Sequence, residues 1–116
     1  MHRKYRLRTN ADFQRVRREG RTWSQSLLVL SAWPNGLEHS RFGFVVGRRI
    51  AKAVGRNLVK RRMRESVRLR VQRDDIAEGW DIVFIARRPV LEASFQQVDQ
   101  AIGLLLRRAG LLRETS

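Results

Sequence analysis

Six polar residues recur at helical spacing in one short run: Arg56, Asn57, Lys60, Arg61, Arg64 and Arg68. At about 100° per residue, Asn57, Lys60, Arg61, Arg64 and Arg68 gather on one arc, and Val59, Met63, Ser66, Leu58 and Leu69 on the other. Arginine is a planar fork of donors that engages phosphate bidentately, and lysine adds a compact point charge. Asn57 brings a donor and an acceptor, suited to a ribose hydroxyl or a base edge. Arg56 falls nearer the apolar boundary, in the first turn, from where it can swing outward. The chemistry of such a face is anion binding. From Arg41 to Arg73 there are twelve Lys/Arg and one acid, Glu65, so eleven of the fourteen net positive charges lie in 33 residues. Like charges this close repel, and the i,i+4 salt bridges that justify a solvated charged face are mostly missing. A polyanion relieves that repulsion, and nucleic acid is the first candidate.

Little else resembles a reactive centre. Asp74, Asp75, Glu78 and Asp81 form the one carboxylate cluster. Paired carboxylates can hold Mg²⁺ and cut RNA, but these directly follow the basic run and read as its terminators. His2 and His39 are isolated, and there is no cysteine, which excludes disulfides, thiolate metal sites and Cys nucleophiles. No tightly bound metal or cofactor is expected on the protein. The longest apolar run, Leu27 to Leu30, is far below the roughly 18 residues that span a membrane. Met1 to Arg8 is basic, with no apolar stretch behind it, so it is not a secretory signal. The expectation is a cytoplasmic protein with no membrane contact.

Positioning the basic face needs a fold, and 116 residues at 42% hydrophobic allow one modest core. We expect a single nucleic-acid-binding domain over 1–116, with a basic segment at 1–8 and a short flexible tail from about 111 to 116. Asn10 to Arg17 reads as a short helix capped by Thr9 or Asn10 and stopped by Gly20. Ser26 to Trp33 reads as a strand ended by Pro34-Asn35-Gly36, and Arg41 to Gly47 as a second, so the two are expected to form a hairpin. A long helix follows, from about Val54 to Arg73, and then an apolar strand, Trp80 to Ala86. Ser94 and Gln97 fit a capping box for a last helix, closed by Gly110. The tryptophans read as packing residues near strand ends. The order α-β-β-α-β-α gives a small α/β (α+β) sandwich.

Duplex DNA admits a basic helix into its major groove. The A-form RNA major groove is too deep and narrow for that, so on folded RNA a helix would lie across phosphates. Charge alone does not separate the two.

Phe13-Gln14-Arg15-Val16 after Arg6-Leu7-Arg8, then Gly43 to Arg49, then Ala53 to Arg61, together resemble the protein subunit of bacterial ribonuclease P. The likeness runs from about Arg6 to Arg108, and the Arg-Asn-x-x-Lys-Arg-x-x-Arg core is its most specific part. It implies a protein cofactor of a catalytic RNA that removes the 5′ leader of precursor tRNA, with Mg²⁺ held by the RNA subunit and no obligate protein partner. The RNA performs the hydrolysis, so no catalytic side chain is implied. Carried over, Arg48, Arg49, Arg56, Asn57, Lys60, Arg61 and Arg64 become RNA-binding residues and Phe13 lines a leader cleft; Lys52 and Arg68 are expected to bind RNA beside them, and Arg17 to lie in the cleft. The family also implies a left-handed β-α-β crossover, against the general right-handed rule. Four positions depart from the pattern: Leu58 stands where Arg or Lys is common, Arg62 where an apolar residue is usual, Arg17 where Phe is frequent and Ser31 where an aromatic is frequent. The cleft is therefore expected to use charge more than stacking.

Overall fold

Capping decides where two of the three α-helices begin. Thr9 accepts from the Asp12 N–H and opens α1, Asn10–Glu19. Ser94 and Gln97 form the reciprocal box that opens α3, Phe95–Arg108, and Gly110, at φ 72°, ends it in the left-handed region. Between them runs α2, Ala53–Gln72. The computed structural model describes residues 1–113, and among these the strands are β1 (Arg21–Ser24), β2 (Leu28–Pro34), β3 (Arg41–Val45) and β4 (Trp80–Ala86). The α+β sandwich stands, with β1 as an added edge strand.

The expected hairpin between β2 and β3 does not form. The sheet order is β1-β2-β4-β3. β4 lies antiparallel to β2 and parallel to β3, with α2 as the β3-to-β4 crossover. The turn at Pro34-Asn35-Gly36 reverses the chain, but β4 is apolar on both faces and takes the place between the two strands. Its Ile82, Phe84 and Ala86 share one face with Leu28, Leu30, Ala32 and Phe42, and α2 and α3 close that core. Val83 and Ile85 look the other way, toward α1, where Val16, Leu7 and Phe13 pack. Truncating a fully buried side chain such as Phe84 would cost about 3–5 kcal/mol.

On α2 the buried residues are Val59, Met63, Ser66 and Val67. The buried arc is therefore rotated from the expected one: Leu58 is 41% exposed and Leu69 only half-buried. Arg70 lies inside the buried arc and donates to the Asp99 carbonyl and carboxylate at 3.0 and 3.2 Å, beside Gly103, while Ser66 donates to the same carboxylate. This cluster ties α2 to α3. Within the stretch expected as tail, Leu111 is buried and Leu112 bridges to Ile76. Residues 114–116 of that expectation lie outside the described ones.

Candidate RNA-binding surface

β3 is an edge strand, and its outer side is only partly covered. Leu7 donates its N–H to the Phe42 carbonyl at 2.9 Å, which lays the basic N-terminal segment along the start of β3. Beyond that contact a cleft opens between this segment, α1, β3 and α2. Its volume near the N-terminal segment is about 480 Å³, and Arg3, Arg6, Phe13, Phe44, Lys60 and Arg64 are among its walls. It continues past Phe13 and Phe44 toward Gln14, Arg17 and Val46.

Two aromatic rings come from opposite faces of the sheet. Phe13 lies directly over Gly43, where a Cβ would come within 2.3 Å of its Cε1, so β3 needs glycine there. Phe44 stacks on Phe84 with centroids 6.0 Å apart and planes 10° from parallel. Burial, and then the positive charge of Arg6, lower the Arg64 pKa from the ordinary arginine value. An anion between Arg6 and Arg64 offsets their mutual repulsion. The cleft can therefore hold a flexible polyanion with stackable bases.

The structure brings Phe13, Arg17, Lys60 and Arg64 of the expected site residues together in this cleft. Asn57 and Arg61 stay exposed on the outer face of α2. Arg56 folds back, its Nη1 donating to the Ala51 carbonyl at 2.8 Å. Arg68 grips Glu65 bidentately at 2.9 and 2.5 Å, which raises the Arg68 pKa and lowers that of Glu65. Arg48, Arg49 and Lys52 lie exposed beyond the end of β3, where α2 starts without a side-chain cap or an acid in its first turn. Sequence reasoning assigned no site role to Arg3, Arg6 and Arg8 of the basic terminus, nor to Phe44. The run Gly43-Phe44-Val45-Val46-Gly47 has no alternation of apolar and polar residues, so no local signal singled out Phe44.

Two departures from the family pattern have local roles. Arg62 Nη1 donates to the Ala93 carbonyl at 2.7 Å, so this cation serves packing. Ser31 is buried and shares a 3.0 Å hydrogen bond with Thr22.

The carboxylates do not form a metal centre. Asp81, 2% exposed, accepts both arms of Arg41 at 2.8 and 2.7 Å and a third bond from Asn35 at 3.0 Å. Arg113 takes Asp74 and Glu78, and Arg73 takes Asp75. Among the described residues no group of three or more His, Asp or Glu is placed to hold a metal ion. No helix among the described residues is long and apolar enough to cross a membrane.

Residues 1–110 match the sequence profile of the Ribonuclease P family. The Ribonuclease P protein component of Roseiflexus castenholzii is 51% identical over 114 residues, covering 97% of this chain and 92% of that one. The Staphylococcus aureus RNase P protein structure superposes with a TM-score of 0.84 at 31% identity, covering 94% of this chain and 98% of that one. The Thermotoga maritima RNase P protein gives 0.77 at 36% identity, covering 88% and 96%. The chain thus belongs to the ribonuclease P protein family, the protein side of an endoribonuclease that acts with an RNA subunit in tRNA 5′ processing.

Proposed function

We propose that α2 docks the protein on the catalytic RNA while the cleft beside β3 receives the single-stranded 5′ leader of precursor tRNA. The observation that carries this reading is the meeting of Phe13 and Phe44 with Lys60, Arg64 and Arg6 at an uncovered sheet edge. Bases stack on aromatic faces whatever their sequence, and the cations track the phosphates between them. Asn57 and Arg61, on the outer side of the same helix, face the RNA subunit. Both RNAs then meet across a strip of positive charge, which lowers the Mg²⁺ concentration needed to bring them together. Side chains of this protein take no part in breaking the bond. The assembly needs two RNAs and no second protein, and it works in the cytoplasm.

The test is cleavage of precursor tRNA by a bacterial ribonuclease P RNA at low Mg²⁺, with and without the purified protein. The expected result is faster cleavage with protein. A rate equal to that of RNA alone would reject this reading in favour of a general RNA-binding protein with no part in the hydrolysis.

A further inference from the structure

β3 and β4 run parallel, with Val45 opposite Ile85, so the segments leaving them emerge side by side. One is Gly47-Arg48-Arg49 and the other Arg87-Arg88. Arg88 Nη2 reaches the Arg49 carbonyl at 3.5 Å. Arg87 donates its backbone N–H to Leu27 and its Nη1 to the Gln25 carbonyl, both at 2.9 Å. Each guanidinium thus commits one N–H to a carbonyl, and most of its donors stay free. All four arginines are exposed, and none is in an ion pair among the described residues. Glu92, the nearest acid in sequence after them, pairs with none of the four.

Charges often guard the open edge of a sheet against pairing with another chain. Arg87 and Arg88 have no such duty, because β4 is an inner strand with neighbours on both sides. They are also fixed relative to α2: the 3₁₀ turn that begins at Arg88 is held to that helix through the Arg62 bond to Ala93. Resting on the reading of α2 as the docking helix, we infer that the RNA contact continues around the end of the sheet, where Arg87 and Arg88 bind backbone phosphates of the RNA subunit beside Arg48 and Arg49.

The experiment is a salt titration of the full chain binding a bacterial ribonuclease P RNA transcript. Arg88→Ala is expected to lower the log–log salt slope by somewhat under one unit, and Arg87→Ala with Arg88→Ala by about twice that. Arg88→Glu is expected to weaken binding further, and Arg88→Lys to restore most of the slope. Arg87 also anchors the turn at Gln25, so the single Arg88 variants, checked by thermal melting, keep the test independent of folding. Unchanged affinity and slope in Arg88→Ala and Arg88→Glu would overturn the inference. So would a loss confined to precursor tRNA, with the transcript bound as before. Loss in Arg61→Ala with none at Arg88 defeats only this extension. No loss in either set defeats the docking reading itself.

Discussion

The two ends of α2 hold their arginines differently. Near its C-terminus Arg70 is locked by Asp99, Arg73 meets Asp75, Arg113 meets Asp74, and Arg41 is clasped by buried Asp81. Toward its N-terminus Arg48, Arg49, Lys52, Arg56, Lys60, Arg61 and Arg64 have no carboxylate partner among the described residues. One residue type does two jobs. Where the fold supplies an acid, arginine joins elements; where it supplies none, the charge is left for a partner outside. A count of basic residues is therefore a poor guide to a binding face, and their pairing is a better one.

The largest effect should come from the paired end. Asp81→Ala leaves a half-buried guanidinium without its fork of acceptors, and should cost about 3 kcal/mol of stability in urea unfolding. A cost well below this would mean that Arg41 is no more committed to the fold than the open-end cations. At the open end, Phe13→Ala should weaken leader-bearing precursor by about 1–3 kcal/mol per stacked base and spare mature tRNA. Equal losses for both RNAs would reduce Phe13 to a packing residue over Gly43. Next, Arg61→Ala should lower the salt slope for the catalytic RNA by somewhat under one unit, while Arg73→Ala, whose partner is Asp75, leaves it unchanged. A fall of the same size at Arg73 would erase the distinction between the ends. The smallest change concerns the one pair on the basic face. Glu65→Gln should free Arg68 and tighten RNA binding slightly in the same titration, whereas weaker binding would mean that the pair is needed to aim Arg68.

How much of this was legible depends on how far each cause reaches along the chain. The caps at Thr9, Ser94 and Gly110 are local, so the helices could be read from neighbouring residues. The amphipathic basic run was equally local, and so the basic helix was visible. Strand pairing is not local. A turn at Asn35 says that the chain reverses, not which strand will lie alongside, and so β4 entered between β2 and β3 without warning. Arg21-Thr22-Trp23-Ser24 was too short and too exposed to announce a strand. The buried position of Arg70 was hidden for a related reason: its acceptors belong to Asp99, 29 residues away. In the cleft, Phe13 was named through the family resemblance, whereas Phe44 needed the stacked Phe84 behind it to show which side of the strand it served.

The position of β4 has a consequence for how the molecule comes into being. It is the last strand synthesised, yet it separates β2 from β3 and is the neighbour both require. A nascent chain ending at residue 79 can pair β1 with β2 but leaves β3 with no strand partner and the apolar side of α2 facing half a sheet. Assembly must therefore wait for residues 80–86 and then close largely in one step, through contacts distant in sequence, which slows folding and leaves sticky intermediates exposed. This polypeptide thus acquires its tertiary structure only once β4 has been made.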